Sequence, residues 1–101
     1  MSYRLRTSRR AGRHIREAAT WWLRNREKAP RAFAEDLDDA LRLVAELPRA
    51  GERVGHASMA GVRRVLLART NYHLYYVIDE AASTVELLAL WHTRRGTKPT
   101  L

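Results

Sequence analysis

The sequence contains no cysteine, and this absence removes several kinds of chemistry. Disulfide bonds, thiolate nucleophiles and cysteine-based zinc sites are all excluded. The four histidines are scattered and include no His-x₃-His pair, so we expect no metal site and no other cofactor. A chain without disulfides fits a reducing compartment, and we therefore expect it in the cytoplasm.

Long apolar runs are missing as well. The longest apolar stretch, residues 85–91, is interrupted by Glu86 and is far shorter than the roughly 20 residues that a membrane span needs. Residues 1–7 carry charges where the apolar part of an export signal would lie. We therefore expect neither membrane insertion nor export.

Negative charge is scarce. The chain has 19 Lys+Arg against 11 Asp+Glu, which gives a formal net charge of +8, and only Lys28 and Lys98 are lysines. Such a chain is attracted to polyanions: nucleic acid, the ribosome, or an acidic protein segment. Guanidinium groups pair with phosphates and carboxylates alike, so charge does not rank these three partners.

The first half of the sequence predicts a short strand and two helices. Residues 3–7 alternate between apolar and basic side chains, which is typical of a strand. Ser8 is placed to cap a helix that ends near Arg26, and Pro30 marks the start of a second helix that Pro48 stops. The short connection predicts an αα-hairpin. The apolar stripe of the first helix comprises Ala11, Ile15, Ala18, Ala19, Trp22 and Leu23.

The second half predicts a sheet. Residues 48–61 contain three glycines and no periodicity, which indicates a loop. Strand-like segments follow at residues 62–68, 72–78 and 84–91, with connections short enough for antiparallel hairpins. The last of them is apolar on both faces apart from Glu86, which predicts an interior strand.

The predicted element order is β-α-α-β-β-β, an α+β fold with an antiparallel sheet covered on one face by the N-terminal helical hairpin. A length of 101 residues fits one domain. We assign residues 1–95 to this domain and residues 96–101 to a polar C-terminal tail.

Five features in a fixed order resemble the ParE/RelE superfamily, the toxins of bacterial type II toxin–antitoxin systems. They are the first-helix residues Ala11, Ile15 and Trp22, and the segments 40–51 (from Ala-Leu to Leu-Pro-Arg-Ala-Gly), 61–63 (Gly-Val-Arg), 72–78 (Tyr-His-Leu-Tyr-Tyr-Val-Ile) and 87–95, which ends in His-Thr-Arg-Arg. The resemblance runs from about residue 3 to residue 95. It implies a toxin that forms a hetero-oligomer with a cognate antitoxin, whose acidic C-terminal segment lies in a groove between the helical hairpin and the sheet.

The superfamily offers two activities. ParE-like toxins, known from plasmid stabilisation, act on DNA gyrase without cleavage chemistry, whereas RelE-like toxins are ribosome-dependent mRNA endoribonucleases. The chain resembles ParE at its end, lacks the lysine pair of RelE-like enzymes near Arg63 and Arg64, and has His73 where they have an arginine. The resemblance therefore favours gyrase inhibition, with the endoribonuclease as the alternative. A member that keeps the fold and binds a partner without toxicity is a third possibility.

The two activities select different candidate residues. If the chain is a nuclease, histidine can act as a general base near neutral pH, and arginines can bind the phosphate. If the chain is not a nuclease, we expect His73 to be a surface residue and His92 to cap the sheet edge. Alternation places Arg63 and Arg64 on opposite faces of their strand. The candidate catalytic residues are His73, His92, Arg63, Arg64 and Arg94.

Binding to a target or an antitoxin would draw on the basic face of the first helix and on the C-terminal end. Among the tyrosines of the strand 72–78, only Tyr75 is expected to be exposed. The acidic residues at 35–39 are interpreted as a solvated face of the second helix. The candidate binding residues are Arg9, Arg13, Arg16, Arg63, Tyr75, His92, Arg94 and Arg95.

Overall fold

Two helices and a five-stranded sheet make up the computed structural model, which describes residues 2–101. The predicted α+β fold class is confirmed. The elements in chain order are β1 (Arg4–Thr7), α1 (Arg9–Asn25), α2 (Ala32–Glu46), a 3₁₀ turn (Pro48–Ala50), β2 (Glu52–Arg53), β3 (Arg63–Leu67), β4 (Tyr72–Asp79) and β5 (Thr84–His92). No helix within residues 2–101 is long and apolar enough to cross a membrane.

The helical hairpin forms where capping and periodicity predict it. The Ser8 hydroxyl accepts a hydrogen bond from the Ala11 backbone N–H at 3.1 Å and so caps α1. Ala11 and Ala18 are buried against the sheet, whereas Leu23 is 66% exposed, so its assignment to the apolar stripe is wrong. Leu23 follows Trp22 by one residue and lies about 100° further around the helix, outside the contact.

The sheet is mixed rather than wholly antiparallel. Its strand order is β1-β5-β4-β3-β2, and β1 runs parallel to β5 with Arg4 opposite Thr84 and Thr7 opposite Leu87. The remaining neighbours are antiparallel. Periodicity identifies a strand but not its partner, and β1 pairs with a strand at the other end of the chain. β2 was not predicted because a two-residue strand has no measurable period.

A β-bulge shifts the alternation of side chains along β5. Tyr75 pairs with Ala89 and Tyr76 with Leu87, so Leu88 is the extra residue. Leu88 and Ala89, although adjacent in sequence, therefore both lie in a second core on the helix-free face, while Leu87 and Leu90 lie in the core under the helices. The interior position predicted for this strand is confirmed, since β5 lies between β1 and β4.

The C-terminal tail packs over the helix-free face of the sheet. The Trp91 indole N–H donates to the Thr97 carbonyl at 2.8 Å, and the Lys98 ammonium donates to the Gly55 carbonyl at 3.2 Å. The His56 Nε2 atom lies 3.1 Å from the Pro99 carbonyl oxygen. Residues 97–101 and the loop before β3 therefore close the second core together.

A tyrosine and a glycine join α2 to the sheet. The buried Tyr76 hydroxyl accepts from the Gly51 backbone N–H at 2.9 Å and donates to the Pro48 carbonyl. A Cβ atom at residue 51 would lie 2.8 Å from the Arg64 carbonyl oxygen and nearer still to the Tyr76 hydroxyl oxygen. Glycine is therefore needed here because the two backbones approach closely.

Candidate functional site

A cavity of about 620 Å³ opens between the C-terminal half of α1, the β3–β4 turn and the C-terminal end of β5. We call it the α1–β5 cavity. Its lining combines indole rings, guanidinium groups and two histidines. Each of its three walls is held by a different part of the fold.

The α1 wall consists of His14, Ala18 and Trp21, which share one helical face, with Trp22 beside them. Trp21 and Trp22 meet edge to face with ring centroids 5.7 Å apart. The guanidinium of Arg26 lies over both indoles, 4.9 Å from the Trp21 ring and 5.6 Å from the Trp22 ring. Trp21 is 44% exposed and presents a flat aromatic surface to the cavity.

The β5 wall consists of Trp91, His92, Arg94 and Arg95. The Arg95 guanidinium stacks 4.1 Å from the Trp91 ring centroid. The His92 ring packs edge-on against Tyr72 at 4.9 Å, and its Nδ1 atom accepts the Arg94 backbone N–H at 3.2 Å. Burial and the nearby Arg94 and Arg95 lower the pKa of His92. Three of the predicted binding residues therefore meet at this wall: His92, Arg94 and Arg95.

The turn wall, residues 69–71, is fixed by Asp36 of α2. The Asp36 carboxylate accepts from the Arg69 N–H at 3.1 Å, the Thr70 N–H at 2.9 Å and the Thr70 hydroxyl at 2.7 Å. Asp36 is only 7% exposed, so the interpretation of this residue as part of a solvated acidic face is wrong. The Asn71 backbone has a φ of 63°, a left-handed conformation that asparagine tolerates.

His14 was not among the predicted site residues. Its Nδ1 atom accepts the Leu90 backbone N–H at 3.2 Å, and its ring lies 5.6 Å from the Trp91 ring. β1 ends at Thr7 opposite Leu87. Beyond that point the Ser8 hydroxyl donates to the Leu88 carbonyl and His14 accepts the Leu90 N–H, so these two side chains provide hydrogen-bond partners for the open edge of β5. Burial and the adjacent Arg13 lower the pKa of His14. The available sequence signal was its position four residues before Ala18 on the buried side of the helix.

His73 lies on the helix-free face and does not itself line the cavity, although its cross-strand partner Trp91 does. It is paired across the sheet with Leu66 on one side and Trp91 on the other. The neighbouring Arg64 forms an ion pair with Glu52 and donates to the Tyr75 hydroxyl at 3.2 Å. Burial and Arg64 lower the pKa of His73.

Tyr75 is 3% exposed, so the expectation that it is an exposed contact residue is wrong. Alternation along β4 puts its ring on the helix-free face, where the covering loop encloses it in the second core beside Val62 and Leu88.

Arg63 points to the opposite face from Arg64, as strand alternation predicts. Its guanidinium donates to the Gly51 carbonyl at 2.8 Å and to the Arg49 carbonyl at 3.3 Å, and so ties β3 to the segment that follows α2. The contacts are with backbone carbonyls and not with acidic side chains.

The five candidate catalytic residues are therefore dispersed over the sheet. Arg63 is opposite Tyr76 and His92 is opposite Tyr72, four residues apart along β4, or roughly 13 Å at the usual rise per residue. His73 and Arg64 occupy the other face. The set therefore divides into His92 with Arg94 at the cavity, His73 with Arg64 on the helix-free face, and Arg63 apart from both pairs.

The basic face of α1 carries the other predicted binding residues. Arg9, Arg13 and Arg16 are exposed and spaced to share one side of the helix. Arg13 forms a loose ion pair with Glu17, 3.9 Å apart. Within residues 2–101, no three histidine, aspartate or glutamate side chains are grouped in a way that could hold a metal ion.

Charge in the α1–β5 cavity is unbalanced. Arg69 pairs with Glu35, but Arg26, Arg94 and Arg95 have no carboxylate of residues 2–101 within 4.0 Å. The cavity thus presents cations that the protein itself does not neutralise, next to aromatic surfaces.

Comparison with known proteins places this geometry in context. The family described as ParE toxin of type II toxin–antitoxin system, parDE, matches residues 5–96. No curated protein matches the chain closely enough to count as a relative.

Several solved structures share the fold. The toxin–antitoxin complex RelBE2 from Mycobacterium tuberculosis is similar with a TM-score of 0.66 and 25% identity, over 91% of this chain and 99% of that one. The chromosomal ParDE system from P. aeruginosa has a TM-score of 0.69 and 16% identity, over 90% and 96% of the two chains. The intact E. coli RelBE complex has a TM-score of 0.63 and 22% identity, over 93% and 100%.

Proposed function

This chain belongs to the ParE toxin family of type II toxin–antitoxin systems, and from that membership we propose that it inhibits DNA gyrase by binding to it. The toxin occupies its target in the cytoplasm and makes or breaks no covalent bond. Similar structures include both ParDE and RelBE complexes, so the choice between gyrase and the ribosome depends on the site.

The dispersal of the candidate catalytic residues carries the proposal. RNA cleavage needs a base, a phosphate-binding donor and an acid within hydrogen-bond reach of one reacting group. Arg63 is bonded to backbone carbonyls, Arg64 is paired with Glu52, and His73 lies on the face away from His92. A binding toxin needs no such convergence.

We assign the gyrase contact to the rim of the α1–β5 cavity and the adjoining basic face of α1. The arginines there are exposed or stacked on indoles, and arginine beside aromatic rings is a frequent source of binding energy at protein interfaces. Arg94 and Arg95 are the residues whose loss should weaken the contact most.

The cognate antitoxin is the second partner. The net charge of +8 is complementary to an acidic C-terminal segment, and similar structures such as the RelBE2 and RelBE complexes contain antitoxins. The opening between α1 and the sheet end is the groove that we assign to this segment in the hetero-oligomer.

The test is supercoiling of relaxed plasmid by purified gyrase with this chain titrated in, alone and with its antitoxin. Inhibition that the antitoxin relieves is the expected result. The double variant R94Q/R95Q should lose inhibition, whereas Arg42→Gln, an exposed arginine on α2 paired with Asp38, should retain it. Unimpaired supercoiling at micromolar excess of folded toxin would reject the proposal.

One observation favours the RelE-like alternative. His14 and His92 line the same cavity as Arg94 and Arg95, and both have a pKa below the usual value, which keeps a base available near neutral pH. If the chain cleaves ribosome-bound message, His92→Ala should slow cleavage by roughly 10²–10⁴-fold, the usual contribution of an acid–base group. Intact message after incubation with translating ribosomes would eliminate this function.

A further inference from the structure

We propose that the α1–β5 cavity binds a nucleotide unit, with an aromatic base stacked on its indole walls and a phosphate held by its unpaired arginines. This inference goes beyond gyrase inhibition, which needs an exposed contact surface but no cavity. It draws on Trp21, Arg26 and Trp91, which the nuclease alternative does not use, and it shares Arg94 with that alternative.

The first step is the aromatic lining. Trp21 on α1 and Trp91 on β5 stand on two walls of one cavity, with Tyr72 between the turn and the strand end. Trp21 is 44% exposed, so part of its ring is accessible to a ligand. Bases stack on such side chains whatever their identity, since every base has a π-face.

The second step is the state of the arginines. Arg26 lies over Trp21 and Arg95 over Trp91, and neither has a carboxylate of residues 2–101 within ion-pair distance. Arg26 donates one N–H to the Asn25 carbonyl at 3.4 Å, and the other N–H groups of the two guanidiniums have no carboxylate acceptor within residues 2–101. These groups can bind a phosphate in bidentate fashion. Arg94 adds a third cation at the same wall.

The third step is a donor from His14. Its Nδ1 atom accepts the Leu90 N–H, so the neutral ring carries its proton on Nε2. No group within residues 2–101 accepts a hydrogen bond from this Nε2 atom. The cavity therefore offers a neutral N–H donor beside its cations, a combination that suits a phosphate oxygen.

The acidic antitoxin segment that we assign to this opening would use the cavity only in part, whereas a nucleotide would use both its charged and its aromatic walls. Carboxylates need only the arginines, and they leave the aromatic walls without a planar partner. The volume of about 620 Å³ lies inside the range of roughly 300–1,000 Å³ for small-molecule sites. The one acidic residue in the lining, Glu17, is paired with Arg13. The unit can come from a free nucleotide or from the end of a single strand, and the test separates these sources.

The experiment titrates the full chain with 5′-AMP, adenosine, inorganic phosphate, a 5′-phosphorylated single-stranded RNA hexamer and an acidic peptide. Tryptophan fluorescence and titration calorimetry report binding. We expect AMP to bind at least about tenfold more tightly than adenosine or phosphate alone, because stacking and phosphate contacts act together. Equal affinity for AMP and the hexamer identifies a free nucleotide as the ligand, and much tighter hexamer binding identifies a strand end.

Two variants locate the site. Trp91→Leu and Arg95→Gln should each weaken AMP binding on the order of tenfold, the usual loss for one stacked ring or one phosphate contact. Arg95 is exposed, so its variant tests the site even if the change at Trp91 impairs folding. Arg42→Gln, which removes an equal charge far from the cavity, is the control and should leave AMP affinity unchanged.

Three results would overturn the inference: no saturable binding of either AMP or the hexamer, AMP affinity unaffected by Arg95→Gln, or binding of the acidic peptide alone. The supercoiling assay is run separately on the same preparations. A toxin that inhibits gyrase but binds no nucleotide loses only this inference, and a nucleotide-binding chain without effect on gyrase loses only the proposed function.

Discussion

The two ends of the sheet use arginine in opposite ways. At the end where α2 meets β3, which we call the closed end, Arg49 pairs with Glu80, Arg63 with backbone carbonyls and Arg64 with Glu52. At the α1–β5 cavity, Arg26 and Arg95 lie over indole rings, and no carboxylate of residues 2–101 lies within 4.0 Å of either. A formal charge of +8 therefore does not locate function by itself. We infer the binding surface instead from arginines that have no carboxylate partner among residues 2–101 and lie beside aromatic rings.

The closed end is organised around buried, fully bonded polar groups. The Tyr76 hydroxyl accepts from the Gly51 N–H and donates to the Pro48 carbonyl, and the Arg63 guanidinium donates to the Arg49 and Gly51 carbonyls. Removing one partner from such a group leaves the other unsatisfied, which costs more than the bond itself contributes. At the cavity end, the exposed side chains of Arg94 and Arg95 make no such bonds within residues 2–101, and their loss should cost little stability.

The largest expected effect comes from Gly51→Ala at the closed end. The new methyl group meets the Tyr76 hydroxyl and the Arg64 carbonyl, so the Tyr76 ring must move and its hydrogen bonds must break. Overpacking costs roughly 1–3 kcal/mol and the unsatisfied buried groups a similar amount, so the free energy of unfolding should fall by about 3 kcal/mol or more. Urea unfolding followed by circular dichroism measures this change.

Gly55→Ala is the matched control, because a Cβ atom at residue 55 has no heavy atom within 4 Å. Its stability should stay within about 0.5 kcal/mol of the parent chain. If the two glycine variants unfold at the same urea concentration, the close approach at Gly51 is not what holds α2 to the sheet.

A smaller loss of stability is expected from Asp36→Ala, because Asp36 of α2 fixes the turn wall of the cavity. Three hydrogen bonds that fix residues 69–71 disappear, and the buried Thr70 donors lose their acceptor, at a cost of roughly 2–3 kcal/mol. Thermal unfolding should show this loss. Asp38→Ala removes an exposed carboxylate paired with Arg42 and should cost less than about 1 kcal/mol. Similar losses in the two variants would mean that the turn does not depend on α2.

Local rules predicted much of the fold. Ser8 could be read as a helix cap because the hydroxyl and the free backbone N–H groups lie within three residues of one another. The faces of β4 followed from alternation, and Tyr72, Leu74 and Tyr76 do share the helix-side core. Each of these inferences needs only the sequence neighbours of the residue concerned.

The failures share a cause, which is contact between distant parts of the chain. Asp36 reads as one of several acidic residues on an amphipathic helix until the β3–β4 turn is placed against it. Tyr75 reads as exposed until the 54–62 loop and the C-terminal tail cover the second face. His14 acquires its role only because β1 stops at Thr7 and leaves the edge of β5 open. No period within a single segment contains this information.

Acid should weaken the cavity end selectively. Burial holds the pKa of His14 below its usual value of about 6.5, which the unfolded chain retains. The stability from its neutral form is therefore fully present above about pH 6.5 and is lost as the pH falls below that value. Protonation also turns Nδ1 into a donor that faces the Leu90 N–H. The urea concentrations at the midpoint of unfolding, compared at pH 7.5 and about 5.5, measure this loss of stability.

His14→Gln isolates this histidine from the other three. A glutamine oxygen can accept the same N–H without titrating, so the variant should lose less stability on acidification than the parent chain does. An identical pH dependence in both proteins would show that His14 does not couple the docking of α1 to protonation.

The smallest effect on stability is expected where the effect on function is largest. The double variant R94Q/R95Q removes two exposed cations that have no carboxylate partner among residues 2–101, so the free energy of unfolding should change by less than about 0.5 kcal/mol. Gyrase inhibition should nevertheless weaken strongly.

Arg63→Gln is the counterpart at the closed end. It should cost about 1–3 kcal/mol because its carbonyl partners lose a charged donor, while the fraction that stays folded should inhibit normally. If R94Q/R95Q destabilises the chain as much as Arg63→Gln does, the cavity arginines stabilise the fold, and the distinction between the two ends of the sheet is wrong.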